Sequence, residues 1–83
     1  MSTPNTSNVI DIVRSRIRDG EYRAGTSIPS QAEMAEEFGV SGRTIARVIS
    51  DLRDRGYLWT LPHKGSYARP RDHWRDAEVK TSV

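Results

Sequence analysis

The sequence contains no cysteine. That excludes a disulfide framework, thiolate zinc sites and cysteine nucleophiles together, and leaves packing as the source of stability. It also fits a reducing cytosol, the expected location. Long apolar runs are missing, so no segment reads as a membrane span. The opening from Met1 to Asn8 is polar and uncharged, without the basic and then apolar order of a signal peptide. Catalytic patterns are missing as well: there is no Gly-rich phosphate loop, and no serine, histidine and carboxylate fall into a recognisable arrangement, so no enzyme is expected. His63 and His73 have neither a cysteine nor a carboxylate cluster beside them and make a poor ligand set. Neither a metal nor a cofactor is expected.

What is present is 83 residues, enough for one small domain, with a net charge of +2 and a pI near 9.4. The sum alone does not name an anionic partner, but the distribution is informative. From Ser41 to Ser50 the only charges are Arg43 and Arg47, and from Leu61 to Arg71 the only full charges are Lys64, Arg69 and Arg71. Acids gather instead at Glu33, Glu36 and Glu37, and at Asp51 and Asp54.

Periodicity orders the elements. Residues 1–8 read as a flexible arm, with Ser7 or Asn8 capping a first helix whose Val9, Val13 and Ile17 recur at helical spacing before Gly20 ends it. Glu21 to Pro29 reads as an ordered loop anchored by Tyr22 and Ile28. Ser30 and Glu33 have the capping-box spacing at the start of a second helix, whose packing surface is Ala32, Met34, Ala35 and Phe38. After Gly39 and Val40, Ser41 caps a third helix from Gly42 to about Arg55, stopped by Gly56.

Two helices around a Gly-Val-Ser turn form a helix-turn-helix pattern, with the later helix as the reading element. On it Ile45, Val48, Ile49 and Leu52 share one side, and Arg43, Arg47, Ser50 and Asp54 the other. Tyr57 to Thr60 and Ser66 to Arg69 flank a turn and read as a hairpin, a wing with His63, Lys64 and Gly65 at its tip. The expected class is α+β, mostly α: a winged helix-turn-helix over residues 9–69, three helices and then a two-stranded hairpin. Residues 70–83 follow as a polar tail, either disordered or a short helix.

The spaced features Ile17-x-x-Gly20-x-Tyr22-x-x-Gly25-x-x-Ile28-Pro29-Ser30, Glu33-Met34-Ala35-x-x-Phe38-Gly39-Val40-Ser41-x-x-Thr44-Ile45 and Leu52-x-x-x-Gly56-Tyr57-Leu58 resemble the DNA-binding domain of the GntR family of bacterial transcription regulators. Lys64-Gly65-Ser66-Tyr67 extends the resemblance into the wing, so that it runs from Val9 to about Ala68. It implies a winged helix that binds operator DNA as a two-fold pair, usually to repress. The sequence departs from the family where arginines are common: it has Ala32, Gly42 and Ala46, while Arg43 and Arg47 each lie one residue further along. The family's operator preference therefore does not carry over. Members normally continue into a ligand-sensing or dimerising domain; none is read here, and no small-molecule effector is expected.

Expected DNA contacts follow residue by residue. Arg43 and Arg47 read base edges, one of them bidentate to guanine, although on an isolated helix the same pair would be solvated charge. Ser41, Gly42 and Thr44 offer hydroxyls and helix-end amides to phosphate, although a cap alone would explain the serine. Ser30 has the same two roles, and Gln31 is a phosphate or base contact. His63, Lys64 and Gly65 approach phosphate or the minor groove, or form only a polar turn. Trp59 and Tyr67 are expected to pack. Trp74 could anchor the tail, contact a second copy or hang free. The expected partner is double-stranded DNA, bound by a homodimer at least on DNA, with no membrane partner. A protein-interaction module engaging through the hairpin or Trp74, and an accessory factor that bends DNA, are the competing readings.

Overall fold

A computed structural model describes residues 5–61 and 64–75. The first helix, α1 (Thr6–Arg18), buries Val9, Val13 and Ile17 along one side. A four-residue spacing returns to nearly the same face of a helix at each turn, which is why these three enter the core together. Asn5 caps α1, in place of Ser7 or Asn8, by accepting the backbone amide of Asn8 at 2.8 Å. The helix therefore starts within the stretch expected to be an arm, because an acceptor just outside the first turn can reach its free amides, whereas Ser7 and Asn8 already lie inside that turn.

The second and third helices, α2 (Gln31–Phe38) and α3 (Gly42–Asp54), pack against each other, and α3 also lies against α1. Ile45, Val48 and Leu52 of α3 are fully buried beside Met34 of α2. Removing side chains of this size from water contributes about 1.5–3 kcal/mol each, so this inner set carries much of the fold. Ala35 and Phe38 pack on it partly buried. Ala32, expected in that surface, faces solvent instead, because it lies two positions from Met34 and so points the other way around the helix.

Strands β1 (Leu58–Leu61) and β2 (Gly65–Ala68) form an antiparallel hairpin, with Leu58 opposite Ala68 and Leu61 opposite Gly65. The loop before α2 extends this sheet: Ser27 bridges to Tyr67, Ile28 N–H donates to the Ser66 carbonyl at 3.0 Å, and Ala68 N–H donates to the Thr26 carbonyl at 3.0 Å. Arg16 ties the same loop to both helices, donating to the Tyr22 hydroxyl at 2.7 Å and pairing with Glu37 at 2.6 Å. Those two hydrogen bonds, Glu37 first, push the Arg16 guanidinium further above its ordinary range.

Beyond the wing, a 3-10 turn (Arg71–His73) leads to Trp74, whose indole N–H donates to the Arg69 carbonyl at 3.0 Å. Of the three roles open to Trp74, anchoring is the one its contacts support. The anchored segment runs close over Gly56: a Cβ there would lie 1.7 Å from the His73 carbonyl oxygen, and φ is +82°. Only glycine fits both conditions. Together these elements make a winged helix-turn-helix. Among the described residues no helix is long and apolar enough to cross a membrane.

Candidate nucleic-acid interface

The amino-terminal ends of α2 and α3 come together at the surface. At α2 the capping box is complete: Ser30 Oγ accepts the Glu33 amide at 3.1 Å, and Glu33 Oε1 accepts the Ser30 amide at 2.9 Å. At α3, Ser41 Oγ accepts the Thr44 amide at 3.1 Å and also lies 3.1 Å from Thr44 Oγ1. Ser30, Ser41 and Thr44 thus act as caps or cap partners in the free protein. Gln31 connects the two ends, its Nε2 donating to the Gly42 carbonyl at 3.0 Å.

Arg43 and Arg47 stand exposed on the outer face of α3, one turn apart, and among the described residues neither has an ion-pair or hydrogen-bond partner. Other arginines are engaged: Arg16 by Glu37, Arg14 by Asp11 at 3.0 Å, and Arg55 by Asp51. In the last pair Arg55 Nε lies 2.7 Å from Asp51 Oδ2 as an ionic contact, without an aligned hydrogen bond to that oxygen. Three acids are therefore committed to cations away from the outer face of α3. Among the described residues no acid forms an ion pair with Arg43 or Arg47.

Successive helix positions differ by about 100° in direction. Moving charge from positions 42 and 46 to Arg43 and Arg47 therefore turns it away from the wing and leaves Gly42 and Ala46 facing the wing side. There a concavity of about 480 Å³ opens between α3, the start of α2 and the hairpin, lined in part by Ser30, Gln31, Ala46, Arg53, Lys64 and Gly65. The structure thus gathers Ser30, Gln31, Lys64 and Gly65 around one hollow, whose lining does not include Arg43 or Arg47. His63 lies outside the described residues.

Sequence reasoning missed Arg53, which lines the hollow seven residues after Ala46 and so falls on the same side of α3; a helical wheel carries that signal. It also placed Trp59 among packing residues, yet the indole is 45% exposed, with Tyr67 edge-on at 6.4 Å and the Arg69 guanidinium 5.9 Å from its ring centre. Strand alternation explains the difference: Leu58 points into the core, so its neighbour must point out.

A sequence model described as "Bacterial regulatory proteins, gntR family" matches residues 5–67. The uncharacterized HTH-type transcriptional regulator YieP of Escherichia coli (strain K12) is 34% identical over 68 residues, covering 80% of this chain and 30% of that protein. The histidine utilization repressor of Klebsiella aerogenes is 33% identical over 79 residues, covering 94% of this chain and 33% of that protein. The chain thus spans about a third of the length of these curated relatives. Among solved structures, the DNA-binding domain of AraR in complex with operator ORE1 superimposes with a TM-score of 0.75 at 29% identity, covering 82% of this chain and 83% of that one. These similar proteins are transcription regulators rather than enzymes.

Proposed function

The chain belongs to the gntR family of bacterial regulatory proteins as a DNA-binding transcription-regulator domain, and from that premise we propose that it represses transcription by occupying a palindromic operator as a pair of copies in the bacterial cytosol. The observation that carries this reading is the unpaired arginine couple on α3. Arg43 and Arg47 are exposed, one turn apart, on the second helix of a helix-turn-helix, and among the described residues neither has an ion-pair partner. They read base edges in the major groove, where a guanidinium finds paired acceptors on guanine. Ser30, Ser41, Gly42 and Thr44 present hydroxyls and helix-end amides to phosphates, and Gln31 lies between them. Lys64 and Gly65, with His63 beside them in sequence, bring the wing to the backbone. The AraR domain, which is solved on operator DNA, and the relative named a histidine utilization repressor support this reading.

Pairing takes place at least on the operator. Selection of bound duplexes from a random-sequence pool tests the proposal. An inverted repeat with regularly spaced halves supports it; binding without enrichment that disappears at moderate salt sinks it.

A further inference from the structure

We propose that Gln31 is a base reader, specific for adenine, and that the Gly42 carbonyl sets its orientation. The inference rests on the operator-binding reading above and assigns one element of its specificity.

Gln31 is the first residue of α2 and is exposed, yet its side chain is tied: Nε2 donates to the Gly42 carbonyl at 3.0 Å across the helix-turn-helix. A carboxamide nitrogen carries two hydrogens, one on the same side as its own oxygen and one on the opposite side. The Gly42 carbonyl engages a single hydrogen. If it takes the opposite-side one, it leaves a donor and an acceptor side by side, with the ambiguity of a free amide removed. Adenine presents the matching pair in the major groove, an acceptor at N7 and a donor at N6. Phosphate is a poorer match, because it offers only acceptors and the exposed Oε1 would face them.

The surroundings agree. Gly42 and Ala46 leave open the wing side of α3, and the hollow beside Gln31 is lined by Ala46. A Cβ at position 42 would lie 3.3 Å from Gln31 Nε2, so a side chain there crowds the brace. Gly42 is thus a positioning residue, acting through Gln31.

The experiment selects bound duplexes from one random pool with the unmodified chain, Gln31→Ala, Gln31→Glu and Gly42→Ala. The unmodified chain should enrich one adenine in each half-site. Gln31→Ala should relax that position by about 5- to 150-fold while the positions read by Arg43 and Arg47 keep their preference. Gln31→Glu, with acceptors only, should move the choice toward cytosine. Gly42→Ala should weaken the adenine preference without loss of the folded state, checked by circular dichroism. Equal weakening of all sequences by Gln31→Ala would mean a phosphate contact and overturn the proposal, as would an unchanged adenine. No enrichment by the unmodified chain would overturn both this assignment and the operator reading, whereas enrichment that ignores Gln31 overturns this one alone.

Discussion

Trp74 stacks on Tyr57 with ring centres 4.8 Å apart and planes 24° from parallel. The partner ring is fully buried, so the stack closes the core beneath the recognition helix with a residue that lies beyond the wing in sequence. Trp74→Ala removes both the stack and the indole hydrogen bond to Arg69. A fully buried tryptophan costs about 3–5 kcal/mol when truncated, and for this half-buried one we expect about 2 kcal/mol by urea denaturation. Trp74→Phe should recover most of that loss, because the ring stack survives. An unchanged midpoint for Trp74→Ala would show that the segment contributes nothing to the fold.

Gly56→Ala should be more damaging than its one added methyl group suggests. Its Cβ would meet the His73 carbonyl, and its φ of +82° is strained for any L side chain. Together these effects should cost more than about 2 kcal/mol, read as a lowered melting temperature. The same substitution at Gly20 has a positive φ but meets no neighbouring atom within 4 Å, so it should cost only the backbone strain. Equal losses at the two positions would contradict the close approach.

Ser30→Ala breaks the capping box of α2 and should destabilise the protein by about 1 kcal/mol. If Ser30 also meets phosphate in the complex, affinity for operator DNA should fall beyond what the change in folding explains. Titrations well below the melting temperature separate the two effects.

Arg43→Ala and Arg47→Ala should each cost about 1–3 kcal/mol of discrimination between operator and unrelated DNA. Lys64→Ala should instead weaken all sequences alike and reduce the slope of log K against log salt by about one. Fluorescence anisotropy over a range of salt distinguishes the two patterns. Folding should change little in any of the three, because among the described residues none of these side chains has an ion-pair or hydrogen-bond partner.

The helices and caps were legible because their signals are local. Ser30 with Glu33, Ser41 with Thr44, and Val9, Val13 and Ile17 each act within four or eight residues, where spacing fixes geometry. What escaped the sequence depends on contacts across it. Ser27 pairing with Tyr67 joins segments forty residues apart, and no periodicity announces a single bridge in a loop. Trp74 could be ranked only once Tyr57 and Gly56 were in place beneath it. The Gln31 brace was invisible for the same reason, since it depends on where the turn sets Gly42. Asn5 is the exception: four capping-type residues in a row, Asn5, Thr6, Ser7 and Asn8, left the helix start ambiguous even locally.

The bridge between Ser27 and Tyr67 has a mechanical consequence. Three residues after Ser27 the chain caps α2, and two residues before Tyr67 it turns at the wing tip, so one ladder of backbone hydrogen bonds holds both. The domain behaves as a calliper locked at a fixed opening. If α2 and the wing both meet DNA as proposed, a duplex whose backbone does not match that gap must bend or change its groove width, and sequences that deform easily gain an advantage at base pairs the protein never touches.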